Sequence, residues 1–197
     1  MLHGTQMILE RCPHCNVAKP TITRQWQGQF HDFAGRNTRL WGVYYCSTCG
    51  SLILACSPQD DKRPISNMWP EPQEVDETVP SRARVFLTQA IASQHAPAGA
   101  VMLTASAVDA MLKEKGYKDG SLYSRIDQAA ENHTITKEMA AWVHEIRLDA
   151  NDQRHASESV DLPTAADAKK VIEFASALAQ FLFILPARVD RGRKSEI

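Results

Sequence analysis

The chain has 197 residues, 44% of them apolar and 23% charged, with a formal net charge of −1. That length suits one domain or a small module followed by a larger one, and the near-neutral balance excludes a generic polycation. The charge is unevenly spread. Residues 1–63 carry seven Lys/Arg against four Asp/Glu, about +3, and residues 64–197 carry fifteen against nineteen, about −4. The front of the chain would therefore meet a polyanion first.

The opening M-L-H-G-T-Q-M-I-L-E-R has neither a sustained apolar stretch nor a small-residue cleavage site, so no signal peptide is expected. Cys12 and Cys15 then frame C-P-H-C, and Cys46 and Cys49 frame C-S-T-C directly before Gly50. Two residues between cysteines let a tight turn aim both thiolates at one ion, and two such turns complete a tetrahedron. The doubled pair predicts one structural Zn2+ held by Cys12, Cys15, Cys46 and Cys49. Four thiolates leave no open position for water or substrate, so the metal would fold the module and do no chemistry. A redox pair and plain buried cysteines are the competing readings. His14 sits inside the first turn and is not expected to be a ligand, and Cys56 packs as a small hydrophobe. Five cysteines confined to the first 56 residues do not suit a secreted disulfide scaffold, so a cytoplasmic protein with reduced thiols is expected.

Between the cysteine pairs, Arg24, Arg36 and Arg39 interleave with Trp26, Phe30, His31, Phe33 and Trp41. That mixture can stack bases while pairing phosphates. The simpler reading is that the aromatics pack the ribbon or dock it on the remainder of the chain. Leu40 to Tyr45 and Ser51 to Ala55 are short, rich in aromatic or aliphatic residues and bounded by turn signals, and they predict strands. Residues 1–62 are thus expected to form a zinc-ribbon domain.

The stretch at 63–80 holds P-I-S-N-M-W-P-E-P-Q-E-V-D-E-T-V-P, with four prolines and four acidic residues, and predicts an extended connector. Met68 and Trp69 could pin it to a neighbouring domain.

Helical spacing follows throughout residues 81–190. Phe86, Leu87, Ala90 and Ile91 mark a first helix, and Val101, Ala105, Val108 and Leu112 a second that stops at Gly116. Leu122, Ile126 and Ala129 mark a third, and Met139, Trp142, Val143 and Ile146 a fourth. The fifth opens on Thr164 with Asp167 three residues on, a capping-box-like start, and is expected to end at Pro186. Its apolar run of about thirteen residues is short for a bilayer, so no membrane span is expected. Residues 191–197 read as a polar tail. Strands at the front and helices behind predict two modules.

At the end of the fourth helix lies H-E-I-R-L-D-A-N-D-Q-R-H. Arg147, Asn151 and His155 recur at intervals of four and would share one face, with Arg154 on the same side. A guanidinium, an amide and an imidazole converging there could hold a phosphodiester and move the proton of a ribose 2′-hydroxyl, giving metal-independent RNA cleavage. From spacing alone, a solvated polar helix end is the simpler reading.

The four-cysteine ribbon, the proline-rich acidic connector, I-R-x-x-x-N-x-x-x-H (Ile146 to His155) and L-P-A-R (Leu185 to Arg188) together resemble a bacterial family known as domain of unknown function four-one-four-five. That family is similar to the HEPN superfamily (higher eukaryotes and prokaryotes nucleotide-binding), and the likeness covers residues 12–188. It implies a mainly α protein, an HEPN-like up-and-down bundle of about five helices with a small N-terminal β zinc ribbon, usually dimeric through the bundle. It also implies a role in RNA processing or phage defence. Carried over from active HEPN ribonucleases, Asn151 matches the polar position and His155 the histidine, whereas the arginine position falls on Ala150. On the second helix Asp109 matches an acidic position and the arginine slot falls near Ala105.

Three readings of function follow. The first is a binding or assembly protein that recognises RNA, other nucleic acid or a protein partner. The second is a metal-independent endoribonuclease using His155 with Arg147 or Arg154. The third is an antitoxin-like partner of a separate enzyme. The sequence favours the first and leaves catalysis open.

Overall fold

The computed structural model describes residues 2–58, 64–155 and 161–194, without the side chains of 147–149, 152–155 and 194. The chain divides into two compact units, Met1–Gln73 and Glu74–Ile197. In the first, β1 (Gln6–Met7), β2 (Ile22–Phe30), β3 (Arg39–Cys46), β4 (Leu52–Pro58) and β5 (Asn67–Trp69) form one antiparallel sheet in the order β1-β2-β3-β4-β5.

Alternation along the strands sorts the side chains onto two faces. Ile22 pairs with Cys46, and Tyr44 with Ile53. These residues, with Met7, Leu9, Cys12, Ala55 and Met68, make the small core of this unit. An irregularity between Arg24 and Trp26 shifts the β2–β3 register by one residue, so Trp26 emerges on the face opposite that core. His3 is buried, with its Nδ1 2.9 Å from the Tyr44 hydroxyl.

The second unit is helical: α1 (Ser81–Ala92), α2 (Pro97–Glu114), α3 (Leu122–Glu131), α4 (Lys137–His155) and α5 (Ala165–Ala179). A π-helical turn, Gln180–Ile184, then leads into α6 (Leu185–Lys194). Helix α2 is central, packed by α1, α4 and α5, and α3 rests chiefly on α4. The core gathers Leu87 of α1, Val108, Met111 and Leu112 of α2, Ile126 of α3, Val143 and Ile146 of α4, and Ile172, Phe174 and Leu178 of α5. Trp142 lies against Phe174 with ring centroids 4.1 Å apart. The capping box at Thr164 is formed: the Asp167 amide donates to Thr164 Oγ1, and the Asp167 carboxylate accepts from the Thr164 amide.

The expectation of a mainly α protein, an HEPN-like bundle with a small ribbon attached, is overturned. Among the described residues about 46% are helical, and the first unit is not a small ribbon but a five-stranded, curled antiparallel sheet. Two strands carry most of the difference. β2 is nine residues long but reads I-T-R-Q-W-Q-G-Q-F, too polar to announce itself, and β5 lies inside the proline-rich stretch. The closing helix also departs from expectation, since it runs through Pro186 to Lys194. Proline lacks an amide hydrogen and crowds the carbonyl four residues before it. The wide turn immediately ahead, where the Leu185 amide donates to the carbonyl of Gln180 five residues back, relaxes that crowding. By length and composition alone the resulting helix, Ala165–Arg193, could cross a membrane, but Ala168, Val171, Ile172, Ala175 and Leu178 are buried in the helical core.

Candidate metal centre

Two turns of matching geometry build the site. In the first, the Asn16 amide donates to the Cys12 carbonyl at 2.9 Å and the Cys12 amide to the Val17 carbonyl at 3.1 Å. In the second, the Gly50 amide donates to the Cys46 carbonyl at 2.8 Å and the Cys46 amide to the Ser51 carbonyl at 3.0 Å. Each turn closes on a residue with positive φ, 58° at Asn16 and 72° at Gly50. Glycine and asparagine are the residues that take this conformation at least cost. Residues 18–45 run out along β2 and back along β3, so the long interval between the cysteine pairs is a hairpin that returns the chain to its starting end.

The four sulfurs converge. Sγ of Cys12, Cys15, Cys46 and Cys49 all lie within 4.8 Å of one another, and Cys12 and Cys49 are 4.0 Å apart. A tetrahedron with metal–sulfur bonds of about 2.3 Å requires sulfurs about 3.8 Å apart, so the set fits a metal ion with little adjustment. All four thiols are free rather than paired as disulfides. Cys12 and Cys46 are buried while Cys15 and Cys49 are exposed, which places the site on the rim of the small core.

Hydrogen bonds tune the sulfurs. The His14 amide points at Cys12 Sγ from 3.4 Å. The Ser51 hydroxyl bonded to Cys49 draws that thiol down to about 6, whereas burial pushes the Cys15 thiol up to about 12 and raises that of Cys12. The His14 ring donates from Nε2 to the Leu52 carbonyl at 2.8 Å, so it braces the turn instead of joining the cysteine set. Ser51 and Leu52 read in the sequence only as the start of a strand; Leu52 meets the first turn because the fold returns it there, and Ser51 acts within the second turn. Cys56 is buried apart, with Sγ 3.9 Å from the Ser66 hydroxyl and from Asn67 Oδ1.

The second set of candidates is only partly visible. Arg147, Asn151, Arg154 and His155 all belong to α4, and Asn151 is exposed. The side chains of Arg147, Arg154 and His155 lie outside the described residues. Ala150, at the expected arginine position, is buried. Asp109 accepts from Arg125 at 2.6 Å and pairs with Lys113 at 2.6 Å, and the Arg125 guanidinium also donates to the carbonyls of Lys118 and Gly120. Asp109 is thereby occupied in tying α2 to α3 and to the loop between them.

No curated protein and no solved structure matches this chain. The sequence model of the family described as Domain of unknown function (DUF4145) matches residues 88–195, which fall within the helical unit and make up just over half of the chain. On that match, which covers 88–195 and leaves the cysteine cluster outside it, the chain belongs to the DUF4145 family.

Proposed function

We propose that this protein is a zinc-held binding or assembly protein, associated with nucleic acid and with RNA in particular. The observation that carries the metal-held part of the reading is the convergence of four thiols within 4.8 Å. Four sulfur donors satisfy a tetrahedral ion completely, and the role left to that ion is to hold the fold. Zinc and iron both accept four thiolates. Metal analysis therefore decides between them, with one zinc per chain expected and a coloured iron–thiolate protein as the opposing result.

The helical unit supplies the assembly half of the proposal. Phe181, Leu185 and Val189 recur at intervals of four on the closing helix and are exposed, which supports self-association through that helix. Light scattering should then return twice 22.0 kDa; a monomer at high concentration would remove this part. Mixed RNA incubated with the metal-loaded protein, without added divalent cation, should be retained but not cut. Fragments with 2′,3′-cyclic ends that disappear in His155→Ala would replace the proposal with RNA cleavage through His155 and Arg147 or Arg154.

A further inference from the structure

The face of the sheet opposite the small core is aromatic. Register places Trp26, Val43, Leu54 and Trp69 in one row across four strands, with Gly28, Trp41, Cys56 and Asn67 in the next. None of Trp26, Phe30, Phe33, Trp41 and Trp69 enters the core of the unit. Trp26, Phe30, Phe33 and Trp69 are exposed. The rings are ordered against each other: Trp41 stacks on Trp69 at 5.7 Å with planes 20° apart, and Trp26 lies 5.8 Å from Phe30. Gly28 permits this, since a Cβ there would fall 2.4 Å from the Trp26 ring. A row of four strands spans about 14 Å.

Charge indicates what would cover the face. Strands β2 to β5 contain no Asp or Glu; of their two arginines, Arg24 lies opposite Tyr44 on the core side and Arg39 on the aromatic side. Arg39 pairs with Phe30 on the aromatic side, and Arg36 sits in the adjoining hairpin with the fully exposed Phe33. The one carboxylate of that hairpin, Asp32, accepts from the Arg36 amide at 2.7 Å and from Asn37 Nδ2 at 2.8 Å, so it is taken up within its own turn. Flat π-faces with an arginine beside them, on strands that carry no carboxylate, match unpaired bases joined by phosphates.

We infer that this face binds single-stranded nucleic acid, with bases stacked on Trp26, Trp69 and Phe33 and phosphates met by Arg36 and Arg39. The inference rests on the reading of the chain as a nucleic-acid-associated binding protein and assigns that role to one surface. An oligomer of about twelve uridines and its thymidine counterpart, labelled and titrated against the full-length metal-loaded protein, provide the test, and their ratio separates RNA from DNA preference. Both single strands should bind better than a duplex of equal length, and Trp69→Ala or Trp26→Ala should weaken binding about tenfold, as loss of one stacked base does. Arg39→Ala should lower affinity and reduce the salt slope by about one. Metal content reports whether each variant is folded, and Phe33→Ala, altered at a fully exposed side chain, should still show several-fold weakening. If the unaltered protein binds single strands and the Trp and Phe variants bind equally well, the face is wrong while the nucleic-acid reading stands. If no single strand binds, or a proline-rich peptide saturates the face instead, both fall.

Discussion

Replacing Cys46 by serine tests the metal centre most directly. Cys46 is fully buried at the end of β3, and a serine hydroxyl there would not ionise to replace the thiolate. The unit it belongs to runs over Met1–Gln73, and at 0.05–0.15 kcal/mol per residue a unit of that size has a net stability of about 4–11 kcal/mol. Structural zinc contributes about 10–16 kcal/mol in small metal-dependent folds. The loss therefore matches or exceeds all the stability the unit has, and the first unit should unfold. Two signals separate the units. Three of the four tryptophans (Trp26, Trp41 and Trp69) lie in the first, whereas every described α-helix lies in the second. In Cys46→Ser, metal content should fall from one equivalent to near zero. The near-UV signal of the stacked Trp41–Trp69 pair should vanish while far-UV helical ellipticity persists. A variant that keeps its metal, or a metal-free protein that keeps the near-UV signal, would refute the reasoning.

Metal retention should depend on pH in two stages. Each ligand must lose its proton to bind. Cys15, pushed up to about 12 in the metal-free cluster, surrenders a proton at any ordinary pH, whereas Cys49, drawn down to about 6 by Ser51, does so only in more acidic solution. Competition against a chelator should show the metal affinity falling as pH drops, with a steeper slope below about pH 6. Phe174→Ala removes a buried ring that packs on Trp142 and should cost the helical unit about 3–5 kcal/mol in denaturant unfolding, with metal content unchanged. Thr164→Ala deletes the cap of α5 and should cost about 1 kcal/mol, with Thr164→Ser restoring most of it.

The parts legible in the sequence are those whose geometry is local. Each cysteine pair is a single turn, so spacing alone foretells that its two sulfurs share one target. The Thr164–Asp167 box is likewise complete within four residues. β3 and β4 carry aromatic and aliphatic runs that only a sheet accommodates well. What stayed hidden depends on register between distant segments. β2 alternates glutamines with aromatics and holds an extra residue near Gln25, so its pattern resembles a loop until β3 is laid beside it. β5 supplies only three residues amid prolines, and it becomes a strand because Met68 reaches the core. The aromatic face required every one of these pairings before Trp26, Trp41 and Trp69 could be seen as neighbours. At the far end, Pro186 reads as a terminator, and the wide turn that defeats it has no composition of its own.

That wide turn also shifts the phase of the helix that follows it. Counting onward from Leu178 and Leu182 at ordinary helical steps places Leu185 and Val189 on the buried stripe, yet both face solvent. One surplus residue in Gln180–Ile184 retards the phase of everything after it by about 100°. Phe183 and Ile184 inherit the inward direction, and Lys115 lies over the Phe183 ring at 4.6 Å. A single insertion in an otherwise regular helix thus offsets its final turns from the buried stripe of α5, and no described side chain from Leu185 to Arg193 is buried.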